Sequence, residues 1–181
     1  MVSMPKLDAS FPPIKQCYWV VPGKLLAGEY PRDKDEVTSQ AKIKALLDAG
    51  ISVFVDLTEE NEGLLSYTSL IGKATHRRFA IRDGAIPNSP ETTIQILDTI
   101  DRYIQQGEMV YVHCWGGVGR TGVIIGCWLA RHDNGGEAAL VRLRALWAQC
   151  PKSATSETPE TRDQEQYIQS WQVRHSRGGS S

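Results

Sequence analysis

A chain that runs from a buried strand through three closely spaced glycines into an apolar helix has few ways to fold, and residues 109–131 do this. Met109 to Val112 is a short β-branched and aromatic run, as expected of a buried parallel strand, and Val123 to Ala130 has the apolar content of a packed helix. The loop between them, Cys114 to Arg120, carries glycine at 116, 117 and 119, so its backbone can curl where a Cβ would forbid it. Its N–H groups are then free to point inward. A tight loop entering a helix N-terminus collects unsatisfied donors and the positive end of the helix dipole, which makes it an anion site well suited to phosphate. Cys114 opens the loop and Arg120 closes it. Such surroundings favour a thiolate, the nucleophilic form of cysteine, and a guanidinium fork grips two phosphate oxygens where an ammonium offers a point charge.

His113-Cys114-Trp115-Gly116-Gly117-Val118-Gly119-Arg120-Thr121 resembles the His-Cys-(five residues)-Arg-Ser/Thr signature of the cysteine-dependent protein tyrosine phosphatase superfamily. The resemblance implies that Cys114 attacks phosphorus to form a phosphocysteine. It further implies that Arg120 and the loop residues Trp115, Gly116, Gly117, Val118 and Gly119 hold the phosphoryl oxygens. Thr121 would hydrogen-bond the departing thiolate, and His113 would steady the loop from behind. Phe79 to Pro87 is similar to the superfamily's acid loop, in which an aspartate follows a strand. Asp83 is the matching general acid, with Gly84 and Pro87 as hinge and brace. The match is looser there, because Arg82 stands where the best-known tyrosine-specific members have proline. Thr161 to Tyr167 is similar to the loop whose glutamine positions the hydrolytic water, and Gln164 is the matching residue.

Other anion and metal chemistries fit less well. A Gly-x-x-x-x-Gly-Lys-Ser/Thr nucleotide loop needs a lysine where Arg120 stands, and its glycines are spaced differently. Cys17, Cys114, Cys127 and Cys150 are scattered with no Cys-x-x-Cys pair, so no metal is expected. Cys127, on an apolar helical run, and Cys150 read as structural thiols. No cofactor is implied. The 181 residues suit one domain, and a formal net charge of −1 suggests neither nucleic acid nor an anionic membrane as partner. The first residues lack an apolar signal core, and no run approaches the roughly eighteen apolar residues of a membrane span. A reactive thiol fits a reducing cytoplasm.

In chain order, residues 1–16 read as an extended arm and 17–174 as the phosphatase domain. Tyr18 to Val21 and Lys24 to Ala27 read as a hairpin or two short strands about Pro22-Gly23. A helix is expected from Asp33 to Ala49 with Val37, Ala41, Leu46 and Leu47 inward and Gly50 as its stop. Ile51 to Leu57 reads as a buried strand opening into an acidic loop, where Glu59 or Glu60 would brace Arg120 or contact substrate. His76 to Ile81 reads as a further strand. Ser89 and Pro90 start a helix with Ile94, Leu97, Ile100 and Ile104 on its core face. Glu137 to Gln149 forms another, with Leu140, Leu143 or Arg144, and Trp147 repeating. A last helix spans Pro159 to Val173, with Tyr167, Ile168 and Trp171 inward, and the tail 175–181 is expected to be disordered.

The expected fold is α/β, a central and mainly parallel sheet of four to five strands flanked by helices. The size of the chain points to the compact dual-specificity-like branch, whose shallower pocket takes phosphotyrosine and also phosphoserine or phosphothreonine. The expected partner is a phosphorylated protein or peptide, met by a monomer. Phosphorylated small molecules such as inositol phosphates or nucleotides are the alternative substrates. A non-catalytic phospho-ligand binder is the remaining one, disfavoured by the intact Cys114 and Arg120. Phosphoinositide-specific members tend to carry lysines where Trp115 and Val118 stand. Trp115 lies either at the pocket rim or packed beneath the loop.

Overall fold

The computed structural model describes residues 10–133 and 135–175, with side chains described to 171. Five strands form one sheet in the order β1-β2-β5-β3-β4. They are β1 (Cys17–Val21), β2 (Leu25–Gly28), β3 (Val53–Asp56), β4 (Thr75–Arg78) and β5 (Val110–His113). Only the β1–β2 hairpin is antiparallel; β2, β3 and β4 join through β5 and β3 in parallel register. The expected mainly parallel sheet is therefore present.

Parallel strands buried on both faces read as unbroken apolar runs, and here the two faces belong to two cores. Tyr18, Val20, Leu25, Ala27, Val53, Val55, Val110 and Val112 face one core. It is completed by α2 (Pro90–Gln105), α3 (Gly119–His132), α4 (Gly136–Trp147) and α5 (Arg162–His175). The alternate residues Cys17, Trp19, Leu26, Phe54 and Tyr111 face the other, smaller core, which is closed by α1 (Glu36–Asp48) and the loop carrying Tyr67 and Ile71. Ile14, from the segment expected to be an extended arm, is also buried there, and the Trp19 Nε1–H donates to the Phe11 carbonyl at 3.2 Å.

Several elements differ in detail from their sequence reading. α1 is capped by Asp35, whose carboxylate accepts from the Thr38 N–H at 2.7 Å, and begins three residues later than expected. Its inward residues are Ser39, Ile43 and Leu46; Val37 is 77% exposed and Ala41 is exposed as well. Ser39 tolerates burial because its hydroxyl donates to the Asp35 carbonyl at 2.7 Å and accepts from the Asp33 N–H at 3.0 Å. The strand expected over 76–81 is shorter and earlier, since β4 pairs with β3 only from Thr75 to Arg78. In α4, Leu143 is buried and Arg144 exposed. After α4, Pro151–Ala154 makes a 3₁₀ turn. Of the expected tail, His175 has a helical backbone in α5, and 176–181 lie outside the described residues, as do 1–9 of the arm.

Candidate active site

The sheet register decides where the site lies. His113, the last residue of β5, is flanked by Gly28 of β2 and Asp56 of β3, so the following cysteine loop emerges at the C-terminal edge of the central strand. Gly117, at φ +74°, presses against the neighbouring chain so closely that a Cβ there would lie 2.4 Å from the Gly28 carbonyl carbon. Only glycine fits both the left-handed conformation and the contact. The curl brings the Gly117 N–H to 3.3 Å from Cys114 Sγ. Val118 then caps α3 with no side-chain hydrogen bond, so the first-turn donors of a fourteen-residue helix remain for an anion.

The loop is held from outside by residues that no motif predicts. The Lys152 ammonium donates to the Gly116 carbonyl at 2.7 Å and to Glu29 at 3.1 Å, and the Thr158 hydroxyl donates to the Val118 carbonyl at 2.8 Å. Beneath the loop, His113 is wholly buried. Burial lowers its pKa and keeps the ring neutral. Its Nδ1 stands 3.0 Å from the Cys114 carbonyl, which can only accept, so Nδ1 carries the proton and Nε2 accepts from the Tyr67 hydroxyl at 2.6 Å. His113 is thus fixed as a backbone support. Asp56 lies behind it. Burial pushes that carboxyl up, but hydrogen bonds from His76 and from the Thr58 N–H and hydroxyl outweigh it and hold Asp56 below the usual carboxylate range.

Arg120, in the first turn of α3, is 1% exposed. Its two terminal nitrogens meet the two carboxylate oxygens of Glu62 at 2.5 and 3.0 Å, and Nη1 also donates to the Ile81 carbonyl at 3.0 Å. The bracing carboxylate is therefore Glu62. Glu59 supports Glu62, its N–H donating to the Glu62 carboxylate at 2.8 Å, and Glu60 pairs outward with Arg78 at 3.3 Å. A single 3₁₀ turn, Glu60–Glu62 closed by Gly63 at φ +70°, decides which of three acidic side chains points in. Burial opposes ionisation of both partners, and the pair overcomes it, lowering the Glu62 pKa and raising that of Arg120. Arg120 Nε and Thr121 Oγ1 are buried without a hydrogen-bond partner in the protein. Both are polar groups of the kind a bound anion or a thiolate satisfies.

Asp83 sits on the turn Arg82–Ala85, closed by the Ala85 N–H on the Arg82 carbonyl at 3.0 Å. Its carboxylate is 3.3 Å from Arg120 Nη2 and its side chain is 68% exposed, so it faces the same guanidinium from the solvent side. Trp115 is 62% exposed at the loop's outer rim, which excludes packing beneath the loop. Gln164 is wholly buried. Its Oε1 accepts from the Glu160 and Thr161 N–H groups, both at 3.1 Å, and its Nε2 donates to the Ala85 carbonyl at 3.0 Å. The Thr161 hydroxyl in turn accepts from the Gln164 N–H at 3.2 Å, completing a Thr-x-x-Gln capping box that the sequence displays openly. The other cysteines stay apart from this chemistry. Cys127 is buried in α3, where burial pushes its thiol well up, and burial raises Cys17 to about 12.

Strand, curled cysteine loop and uncapped helix, with a pinned arginine and an aspartate across from it, define the class of cysteine-loop phosphatase domains. Residues 14–174 match the family model of the Swiss Army Knife protein DSP-PTPase phosphatase domain (PTP-SAK), and the chain belongs to that family. Protein 067L of Invertebrate iridescent virus 3, whose name puts it forward as a tyrosine phosphatase, is 33% identical over 125 residues, 67% of this chain and 48% of its own length. The phosphatidylglycerophosphate phosphatase PTPMT1 of Arabidopsis thaliana is 32% identical over 95 residues, 51% of this chain and 28% of its own. The chain thus spans less than half the length of these curated relatives. The crystal structure of Tk-PTP in the active form superposes with a TM-score of 0.72 at 20% identity, covering 88% of this chain and 98% of that one, which establishes the shared fold. Among the described residues no helix is long and apolar enough to cross a membrane.

Proposed function

We propose that the chain hydrolyses phosphomonoesters, phosphotyrosine in proteins first among them, through a phosphocysteine on Cys114. The observation that carries this reading is convergence. Cys114 Sγ accepts from the Gly117 N–H, and the buried Arg120 presents one guanidinium to Glu62 behind it and Asp83 in front. With phosphate in the loop, Arg120 and the amides from Trp115 to Gly119 bind its non-bridging oxygens. The Cys114 thiolate forms an S–P bond as the bond from phosphorus to the ester oxygen breaks, and Asp83 gives its proton to that oxygen. Water then attacks phosphorus, the ionised Asp83 takes the water's proton, and the S–P bond breaks. Thr121, with its unpaired hydroxyl, hydrogen-bonds the returning thiolate. Arg120 and the loop amides supply the positive potential, so no step calls for a metal ion or organic cofactor.

Trp115 at the rim offers a face for an aromatic leaving group to stack on, which favours phosphotyrosine. Residues 17–174 are taken as the catalytic unit, a monomer at home in a reducing cytoplasm. A second reading, phosphorylated small molecules or lipid headgroups, draws on the Arabidopsis relative named for phosphatidylglycerophosphate. Steady-state kinetics on phosphotyrosine and phosphothreonine peptides beside inositol phosphates, nucleotides and phosphatidylglycerophosphate separates the two. The first reading expects kcat/KM to be highest on a phosphotyrosine peptide; a tenfold preference for any non-peptide phosphate would replace it.

A further inference from the structure

Gln164 spends its side chain in a way that a hydrolytic-water role does not explain. Two backbone N–H groups already occupy its carbonyl oxygen, at 3.1 Å each, and that part of the residue completes the capping box of α5. Either glutamate or glutamine serves a capping box. The feature that only glutamine supplies is the amide N–H, and here Nε2 donates to the Ala85 carbonyl at 3.0 Å. Ala85 closes the four-residue turn that carries Asp83, and that turn places the Asp83 carboxylate 3.3 Å from Arg120. One hydrogen bond therefore ties the acid turn to a rigid helix start 79 residues away. The same amide also lies against the catalytic loop, since a Cβ on Gly119 would come within 3.1 Å of Gln164 Nε2. Acid turn, catalytic loop and α5 meet at this side chain.

We propose that Gln164 is the latch of the acid loop: a positioning residue whose amide N–H holds the Ala85 carbonyl, and with it Asp83, over the phosphate site. The inference rests on Asp83 being the general acid and goes beyond it by naming what fixes it there. The latch acts when the leaving oxygen is protonated, which is the first chemical step. Water positioning would act only in the second. Because kcat/KM reports the steps up to leaving-group departure, the two roles separate kinetically.

The test compares Gln164→Glu with wild type and Asp83→Ala on p-nitrophenyl phosphate and phenyl phosphate, whose leaving groups differ in their need for a proton. Gln164→Glu keeps the acceptor of the capping box and removes the donor to Ala85. The kcat/KM loss should grow from about threefold on p-nitrophenyl phosphate to about a hundredfold on phenyl phosphate, the lower end of what a general acid contributes. Adding Gln164→Glu to Asp83→Ala should change the ratio of the two substrates no further. An unchanged substrate ratio overturns the latch, whether kcat/KM is unaffected, falls equally on both, or only kcat falls. Should the buried carboxylate of Gln164→Glu prevent folding, Gln164→Leu is read by the same ratio. If Asp83→Ala itself leaves the ratio unchanged, the acid assignment fails; if Asp83→Ala shifts it and Gln164→Glu does not, the latch alone fails.

Discussion

Arg120 is the residue on which the site turns, because a charge that is 1% exposed needs a fixed partner before it can bind a second anion. Glu62 is that partner. Glu62→Gln keeps the size and loses the charge; it should lower kcat/KM about tenfold to a hundredfold through misplacement of the guanidinium, and stability by about 2 kcal/mol, the worth of a charge-assisted hydrogen-bonded contact. Steady-state kinetics with urea melts of the same protein checks both. Tyr67→Phe leaves His113 Nε2 as a buried acceptor without a donor and should cost about 1–3 kcal/mol, with a smaller loss of rate because the loop backbone slackens. A melt unchanged from wild type would contradict the support role of His113. At this scale the sequence shows residues whose chemistry is local. Cys114, Arg120 and Thr121 share one loop and its spacing fixes them together, whereas Glu62, Tyr67 and Lys152 reach the loop from elsewhere in the chain. Three acidic residues in one segment cannot be ranked without the turn that aims them.

The elements meet where side chains have been removed. α3 and α4 both pack closely on α5: a Cβ on Gly126 of α3 would lie 2.4 Å from Ile168 Cδ1, and one on Gly136 of α4 would lie 2.3 Å from the Gln169 carbonyl oxygen. The first obstacle is the Ile168 side chain, which can shift at the cost of repacking; the second is backbone. Gly136→Ala should therefore destabilise more than Gly126→Ala, with the latter near the 1–3 kcal/mol usual for overpacking. Paired urea melts decide the order, and a larger loss at Gly126 would contradict the packing argument. Strands and helices with strong patterns are where the sequence predicts them: β5, β3, and α2 with its Ser89 cap, whose hydroxyl accepts from the Thr92 N–H at 3.2 Å. α1 turns a different face inward from the one its apolar residues suggest, sharing only Leu46 with it. Its inward residues include Ser39, which hydrophobic periodicity passes over, and local hydrogen bonds make that burial acceptable. β4, expected over 76–81, starts one residue earlier and stops three earlier, because an edge strand carrying His76, Arg77 and Arg78 has no apolar alternation to set its bounds.

In the whole molecule, the sheet separates a large core that carries the catalytic helix from a smaller one that buries His113 and Asp56 on its polar margin. This sets the response to acid. The pKa of Asp56 and that of His113 are both lower in the folded chain than in the unfolded one, so each contributes stability that is fully present above its unfolded value and lost as pH falls through its folded one. Unfolded histidine and aspartate titrate near about 6.5 and 3.9. Urea midpoints should accordingly decline as pH drops from 7 through 4 and more steeply below it, and Asp56→Asn should flatten the lower limb. Equal midpoints across that range would contradict the buried neutral His113. The fold was legible as a whole because parallel strands, glycine stops and helix caps recur along the chain; the assembly of the site from both cores was not.

Cys114 as nucleophile is the step on which the proposed chemistry depends. The most direct test of that step is hydrolysis of p-nitrophenyl phosphate, with a metal chelator present, by wild type and Cys114→Ser side by side. Wild type should turn over and form a phosphorylated Cys114 recoverable by rapid acid quench. Cys114→Ser should lose turnover by at least about 10⁴-fold while still binding phosphate. Turnover retained by Cys114→Ser, or abolished in wild type by the chelator, would contradict a phosphocysteine mechanism.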